Sequence, residues 1–481
     1  MLSGYPAPDR VYLLSRVIGS ILRMVTVSVL AGTGFLLAAP DGTTALHRAV
    51  YEDRTKDAKE LLAAGADPSV RNRYGVMPLF LACANGNEEL VRALLQAGAR
   101  AGERSGGGVS PLMTAARTGC VGPVKALLEA GAHAAARDAK GQSALMWAAV
   151  EGHSEVVEIL LQAGAERDGA LASGFTAWFF GARQGHGGVI DILLAHGAEV
   201  NAVIDQGGGG RAPRKGTSAL ILAIENGHFD LARRLLEAGA DPNDLRSGHA
   251  PLHVLSWVRK PRRGDGIDGA PPPRAGGILS SLQFAEVLIE HGARVNLQLG
   301  RNARGGHRLG RPGCTPFLLA ARTADLPYMK LLLKHGADFR KPNAKGRTPL
   351  LAAAGVVLGP EADEAATEEE AVEAVKFLLG LGADIQTVDR EGETVMHAAA
   401  YKQSAEMVRL LAAEGADIRI WNRKNRSGWT PLLIAQGFRH GNYKPSAPTI
   451  TALSSVMRAA GVDVPPAPKR PVTGKKENYE R

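Results

Sequence analysis

The hexapeptide Gly42-Thr43-Thr44-Ala45-Leu46-His47 is the first copy of a motif that recurs along most of this 481-residue chain. The motif begins with Gly, has Thr or Ser two residues later in most copies, and continues with Pro or Ala and a Leu. Its Gly returns at positions 75, 108, 141 and 174, at a constant interval of 33 residues, and then at 216, 248, 313, 346, 392 and 428. A fixed interval of this length predicts a chain built from repeated structural units.

A second motif, Leu-Leu-x-x-Gly-Ala-Asp, keeps step with the first. Its first copy is Leu61–Asp67, and its Gly recurs at 98, 131, 164, 197, 239, 292, 336, 382 and 415, with a degraded copy at 461–463. Thr44 is suited to cap a helix N-terminus, and a left-handed Gly such as Gly164 is suited to end one. Each unit is therefore predicted to be two short helices and a turn. One such pair cannot bury its apolar face alone, so the units must stack.

The 33-residue period, the sequence Thr44-Ala45-Leu46-His47-Arg48-Ala49 and the Gly-Ala-Asp turn resemble the ankyrin repeat. The resemblance covers residues 41–463 and about eleven repeats. It implies an all-α solenoid of paired antiparallel helices, with β-turn fingers at one edge and a concave face formed by the first helices and the fingers. Such an array implies binding of a partner protein. With its apolar N-terminus, the chain also resembles exported bacterial ankyrin-repeat proteins.

Composition and length exclude several classes of protein. Apolar residues make up 45% and charged residues 22%, which fits neither a disordered chain nor a multispan transporter. Three cysteines are too few for a disulfide framework or a zinc ribbon. Outside the repeats, only residues 1–40, the inserted loops and residues 464–481 remain, and none is long enough to bury a core of its own. The sequence therefore predicts no catalytic domain, no catalytic residues and no cofactor.

The two ends of the chain differ from the repeats. Residues 24–40 carry no charge and follow Arg10, Arg16 and Arg23, which is typical of a signal peptide with a cleavage site near 37–39. This predicts export to the periplasm or the medium. A retained N-terminal anchor and a capping helix on a cytoplasmic protein are the alternatives. Residues 464–481 are basic and rich in Pro and Lys, so we expect a disordered tail.

Insertions interrupt the repeat near residues 201–215, 258–278, 297–312 and 359–373. The first and third lengthen fingers and are basic, and insertions in repeat proteins often lie on the binding face. The fourth is acidic and is expected to be a solvated loop that leads into a helix. Because the whole chain has a formal net charge of +9, we expect an acidic protein partner. The basic finger residues proposed to bind it are Arg211, Arg214, Lys215, Arg301, Arg304, Arg308 and Arg311.

A second set of candidate binding residues follows from the register of the repeats. The first motif of each repeat contains a Leu, which is Leu46 in the first copy. The residue five positions after this Leu, near the end of the first helix, should face the concave side of the array. Tyr, Trp and Arg are enriched at binding hot spots. We call the large residues of this position the stripe, and Trp257 is its strongest candidate because basic residues follow it. The alternative is an ordinary solvent-facing position without a partner. The stripe residues are Tyr51, Arg117, Arg183, Trp257, Arg322 and Tyr401.

The sequence thus predicts a non-catalytic scaffold that binds a partner protein through its concave face and fingers. An intracellular regulatory scaffold with the same face is one alternative. A nucleic-acid binder is another, although no known reading module or aromatic interleaving supports it. A metal protein is a third, because His249 and His253 are four residues apart and could share a helix face. The structural interpretation of His253 is favoured, since it occupies the repeat's usual His position.

Overall fold

The protein is built from pairs of helices. A computed structural model describes residues 39–206, 214–260, 277–300, 312–355, 366–438 and 444–467. Those ranges contain twenty-three helices, of which twenty-two form eleven antiparallel pairs and one lies in a finger. The contacts divide the chain into two units, one up to Asp241 and one from Pro242 onward. The chain is therefore an all-α repeat protein, as the motifs predict.

The first unit contains six helix pairs. Each first helix packs against its own second helix and against the first helix of the next pair. The first helices are α1 (Ala45–Tyr51), α3 (Pro78–Asn85), α5 (Pro111–Thr118), α7 (Ala144–Glu151), α9 (Ala177–Gln184) and α11 (Ala219–Glu225). The second helices are α2 (Thr55–Ala63), α4 (Glu88–Gln96), α6 (Val121–Glu129), α8 (Ser154–Gln162), α10 (Gly187–Ala195) and α12 (Phe229–Glu237).

The second unit contains five helix pairs packed in the same manner. Its first helices are α13 (Pro251–Arg259), α15 (Pro316–Arg322), α17 (Pro349–Ala354), α19 (Val395–Tyr401) and α22 (Pro431–Ala435). Its second helices are α14 (Ser281–Glu290), α16 (Leu326–Lys334), α18 (Glu368–Gly380), α20 (Ala405–Ala413) and α23 (Ala447–Ala459). The short helix α21 (Ile418–Trp421) lies in the finger between α20 and α22.

The repeated residues set the helix ends. The Thr44 hydroxyl accepts the backbone N–H of His47, as predicted, and Thr315 and Thr348 do the same for α15 and α17. Six prolines stand at the start of first helices, where no intrahelical partner for an N–H is needed. Gly164 follows α8 with φ 84°, a left-handed conformation that terminates the helix. These prolines are Pro78, Pro111, Pro251, Pro316, Pro349 and Pro431.

The two extended fingers share one geometry at their bases. Ile204 N–H donates to Thr217 O at 3.0 Å, and Gly216 N–H donates to Ile204 O at 2.8 Å. Leu299 makes the equivalent pair of bonds with Cys314 O and Gly313 N–H, at 3.0 and 2.8 Å. Ile204 and Leu299 are both buried under their fingers. The residues beyond these bases, 207–213 and 301–311, lie outside the described ranges.

Side-chain amides link neighbouring repeats. Asn296 Nδ2 donates to Gly336 O at 2.8 Å, and its Oδ1 accepts the N–H of Asp338 at 2.8 Å. Asn201 bonds to the residues Gly239 and Asp241 in the same way within the first unit. Each amide satisfies two backbone groups at the C-terminal end of the following second helix. The links therefore join consecutive repeats along one edge.

The acidic insertion contains the start of a helix. Residues 359–373 were expected to form a solvated loop that leads into a helix, and the helix α18 begins inside this segment, at Glu368, with a length of 13 residues. Thr367 and Glu370 form a reciprocal capping box, and three carboxylates in the first turn complement the partial positive charge of the helix N-terminus. The acidic residues 368–373 are therefore helix, while 356–365 lie outside the described ranges. The insertion near 258–278 is described only at its ends.

Candidate partner-binding site

The structure places the predicted stripe at the C-terminal ends of first helices. All six side chains are partly exposed, and they lie in both units. Partial exposure at one repeat position is what a binding surface on either unit requires. They are Tyr51 in α1, Arg117 in α5, Arg183 in α9, Trp257 in α13, Arg322 in α15 and Tyr401 in α19.

Two stripe residues, Arg183 and Tyr401, contact the finger of their own repeat. The Arg183 guanidinium lies 5.8 Å from the ring centroid of Phe175, which precedes α9. The Tyr401 hydroxyl donates to Glu393 at 3.0 Å, just before α19. The first helices and the finger bases therefore share one surface in each unit, which we call the finger face.

A second row of side chains on the finger face was missed by sequence reasoning. It lies two residues after the repeat's Leu and includes Leu81 in α3, Trp147 in α7 and Phe180 in α9, all partly exposed. Residues three apart share a helix face, so this row runs beside the stripe. The helical spacing was the available signal. In the second unit, the same row is buried, as at Leu319 and Ala352.

Aromatic and cationic groups meet in the middle of the first unit's finger face. The Arg117 guanidinium lies 5.9 Å from the centroid of the Trp147 ring. The Phe175 ring packs against Phe180, with centroids 5.0 Å apart. Both contact types stabilise a fixed side-chain geometry. Within the described ranges, no carboxylate lies within ion-pair distance of Arg117.

Only two of the seven predicted basic finger residues are described. Arg214 forms an ion pair with Glu225 at 2.5 Å, so its charge is balanced by a residue at the stripe position of α11. Lys215 is exposed. The other five, Arg211, Arg301, Arg304, Arg308 and Arg311, lie outside the described ranges, and their role stays a prediction.

The basic residues after Trp257 do not form a free cationic patch where they are described. Arg259 forms two hydrogen bonds to Asp325, at 2.7 and 2.9 Å, and the Asp325 carboxylate is almost fully buried. Lys260 pairs with Glu370 at 2.5 Å. Both cations therefore join their repeat to later repeats. Trp257 is partly exposed, and its role as a binding residue stays a prediction.

A buried polar network holds Tyr401 in the second unit. Asn425 Nδ2 donates to Glu393 Oε1 at 2.9 Å, beside the Tyr401 hydroxyl bond. Arg347 Nε donates to Asp389 Oδ2 at 2.9 Å in the same group of fingers. Burial raises the pKa of Glu393 to about 7, because desolvation disfavours the carboxylate. The network fixes this stripe residue against three consecutive fingers.

Two cations approach each other on the second unit's finger face. Gly355 occupies the stripe position after α17, and a Cβ there would lie 2.3 Å from Lys402 Cγ. The missing side chain therefore leaves room for the Lys402 stem. Burial and the neighbouring charge of Arg322 lower the pKa of Lys402 to about 8. Lys402 was missed because it lies one residue after the stripe position.

His249 and His253, which the sequence suggests as an alternative metal site, lie in the interior of the protein. Both side chains are fully buried. His253 Nε2 lies 3.1 Å from Leu297 O and 3.2 Å from Cys314 O, so this nitrogen donates to backbone carbonyls. Burial lowers the pKa of His253 to about 4, and the ring is neutral. In the described part of the chain, no group of three or more His, Cys, Asp or Glu side chains could hold a metal ion.

Comparison with known families identifies the repeats. A family model of ankyrin repeats matches residues 46–138, 124–204 and 364–444, and two models of the ankyrin repeat match residues 215–246 and 312–341. Together these segments cover more than half of the chain. The protein belongs to the ankyrin-repeat family. The resemblance of its motifs to the ankyrin repeat is thereby confirmed.

Parts of this ankyrin-repeat protein are similar to proteins with different names. Ankyrin repeat and SOCS box protein 16 of Homo sapiens is 30% identical over 198 residues, 38% of this chain and 40% of that protein. Cyclin-dependent kinase 4 inhibitor B of Rattus norvegicus is 31% identical over 134 residues, 28% of this chain and 78% of the inhibitor. The phosphocholine transferase AnkX of Legionella pneumophila is 24% identical over 202 residues, 38% of this chain and 20% of the enzyme. The chain thus spans less than half of the first and third relatives.

A helix that crosses a bilayer needs about 20 mostly apolar residues. No helix in the described ranges is both long enough and apolar enough to span a membrane.

Proposed function

We propose that this ankyrin-repeat protein is a non-catalytic scaffold that binds a partner protein through its finger faces. The observation that carries the proposal is the alignment of partly exposed Arg, Trp and Phe side chains on the first unit's finger face, held by Arg117–Trp147 and Arg183–Phe175 contacts. Aromatic residues and Arg dominate binding energy at protein interfaces, and rigid side chains lose little entropy on binding.

Two further facts support a binding role. The described residues are occupied by helix pairs, fingers and their connections, so the surface of the array is the available place for function. One similar protein is named as an inhibitor of a cyclin-dependent kinase, a role that requires binding to another protein. The similarity to a transferase covers only 20% of that enzyme, so its activity does not carry over to this chain.

Photo-cross-linking tests this function. A photoreactive amino acid placed at Trp147 or Trp257 should capture the partner from the native host, whereas the same group at Lys125, exposed on the second helix α6, should not. Once the partner is purified, Trp147→Ala should weaken its binding by at least about tenfold, the effect expected of a hot spot. Capture from Lys125 alone would overturn the assignment of the finger face.

We also propose that the protein is exported, and that the apolar, uncharged residues 24–40 act as the signal. This proposal rests on sequence alone, because residues 1–38 lie outside the described ranges. N-terminal sequencing of the protein from its native host tests it, with cleavage expected near residue 39. An intact Met1 would overturn export by a cleaved signal and would favour the anchored or intracellular alternative.

A further inference from the structure

The second row stays open to solvent over four consecutive repeats of the first unit. Its open members lie 33 residues apart, and all of them are partly exposed. The next residue of the row, Leu222 in α11, is only 3% exposed. The open part of the row is therefore a mostly apolar surface of limited length. Its members are Leu81 in α3, Thr114 in α5, Trp147 in α7 and Phe180 in α9.

The packing of the first helices sets the distance between these side chains. Each of these helices packs on the next one, and packed helices lie about 8–10 Å apart, so the row spans about 24–30 Å in three steps. A polyproline II helix turns once in three residues and presents every third side chain to the same side, at steps of about 9.3 Å. One residue in three of such a segment therefore meets each repeat.

Other regular conformations fit this step less well. A β-strand also advances about 10 Å in three residues, but its side chains alternate, so consecutive repeats would meet opposite faces of the strand. An α-helix needs seven residues and about 10.5 Å for each repeat, and its apolar positions drift by about 20° in every heptad. The chemistry of the row agrees with its spacing, because aromatic side chains line the grooves that dock proline-rich segments.

Arg117 gives this surface a charge beside its apolar contacts. Its guanidinium lies 5.9 Å from the centroid of the Trp147 ring and forms no ion pair in the described part of the chain. Arg48, the member of the second row in α1, is exposed and likewise has no ion pair among the described residues. Glu151 at the end of α7 supplies one exposed carboxylate against these two cations. The charge at Arg117 therefore favours an acidic residue in the ligand.

We propose that this row binds a polyproline II segment of the partner protein, with four prolines at every third position and an acidic residue between the second and the third. The prolines lie on Leu81, Thr114, Trp147 and Phe180 in turn, and the carboxylate pairs with Arg117. Such a segment is already ordered before it binds, so it loses little conformational entropy. The inference rests on the proposed function and specifies its partner.

Labelled peptides and the full chain test the inference by fluorescence anisotropy. The probe is Pro-Thr-Thr-Pro-Asp-Asp-Pro-Thr-Thr-Pro, which reads the same in both directions, so the direction of the bound peptide does not matter. The spacing control, Pro-Thr-Pro-Thr-Asp-Asp-Thr-Pro-Thr-Pro, has the same composition without the repeated three-residue interval. The charge control has Lys in place of both Asp. We expect the probe to bind at least about tenfold more tightly than either control, and more weakly as salt is raised.

The substitution Arg117→Glu should reverse the charge preference of the site. It should weaken binding of the probe at least about tenfold and strengthen binding of the charge control, a gain that a misfolded variant would not show. Lys125→Glu makes the same charge change on the second helix α6 and should leave both affinities unchanged. Unchanged affinities in Arg117→Glu would overturn the proposed site.

The remaining outcomes separate the inference from the proposed function. Equal affinity for the probe and the spacing control would overturn the polyproline II register. Residues 464–473 also contain prolines at a three-residue interval, with Lys469 and Arg470 between two of them. A peptide of that sequence that binds more tightly than the probe would overturn the acidic partner in favour of the chain's own tail. A partner that is cross-linked at Trp147 but not displaced by excess probe would overturn the inference alone, whereas no capture at any finger-face position would reject the proposed function.

Discussion

Glu393 is a carboxyl group whose protonation should control stability in the second unit. Its side chain is 7% exposed, one oxygen accepts from Tyr401 and Asn425, and the other has no hydrogen-bond partner among the described residues. Burial raises its pKa to about 7 from an ordinary value of 4.5. The folded state therefore binds a proton that the unfolded chain releases, and the free energy of unfolding falls as pH rises from about 4.5 to 7.

The substitution Glu393→Gln should remove this pH dependence. Each pKa unit corresponds to about 1.4 kcal/mol, so the wild type should lose on the order of 2 kcal/mol relative to the variant between pH 5 and 8. Urea unfolding at both pH values measures the difference. Glu391 in the same finger is the control, because Lys345 lowers its pKa and Glu391→Gln should not reproduce the effect. A constant difference between wild type and Glu393→Gln across this range would contradict the prediction.

Ala324 is a residue whose backbone conformation is unfavourable. It follows α15 with φ 49°, in the left-handed region, where most other first helices are followed by Gly. Because a Cβ destabilises this conformation, Ala324→Gly should raise the free energy of unfolding by about 0.5–1 kcal/mol. Ala321→Gly, inside α15 and buried, should lower it by about 1 kcal/mol or more. Thermal and urea unfolding should show opposite signs for the two, and destabilisation by Ala324→Gly would refute the argument.

The structural role of a single residue could be predicted from the sequence where the repeat fixes its backbone conformation. The Thr caps, the first-position prolines and Gly164 follow from local rules and are found as expected. Glu393 could not be predicted, because its burial depends on Asn425, which lies in the next finger. Glu393 directly follows the Gly of the first motif, and other repeats have different residue types at this position, among them Thr43 and Phe175. No sequence pattern therefore indicates what the side chain at this position contacts.

At the scale of elements, the amide links between repeats should contribute measurable stability. Asn296→Ala removes two hydrogen bonds to the following repeat and leaves Gly336 O and Asp338 N–H to water. The expected loss is about 1 kcal/mol, since both bonds are exposed to solvent. Arg294→Ala is the matched control, because its side chain is exposed in the same turn. Urea unfolding that gives equal effects for the two variants would show that the amide is not a link.

The ends of the helices could be predicted where the 33-residue interval is kept, and less well where insertions interrupt it. The register identifies the first helices and therefore the stripe, and one more step of helical geometry would have identified Leu81, Trp147 and Phe180. Whether that row is open or buried could not be predicted. In the second unit, Leu319 packs under Leu299 of an extended finger, a contact made by an insertion without a repeat pattern. The extension of α18 likewise depends on the capping pair Thr367 and Glu370 inside an irregular insertion.

At the scale of the whole molecule, net charge does not show which basic residues are paired inside the protein. The excess of basic residues is counted without regard to pairing, and the structure pairs Arg214, Arg259 and Lys260 with carboxylates. The cationic stripe positions Arg117 and Arg183 belong to the repeats rather than to the loops, where the sequence placed the basic surface. An interface depends on the charges left after internal pairing, and that quantity requires coordinates.

The repeat architecture predicts that stability is local along the chain. In a stack of repeats, each unit contacts only its neighbours, so a destabilised link should open adjacent repeats first. In hydrogen exchange of the full chain, Asn296→Ala should speed exchange in α14, α15 and α16 and leave α3 to α8 unchanged. Asn201→Ala, which removes the equivalent link to Gly239 and Asp241, should speed exchange in α10 to α12 instead. Uniform acceleration over all helices in either variant would show that the chain unfolds as one cooperative body, and the nearest-neighbour description of this array would be wrong.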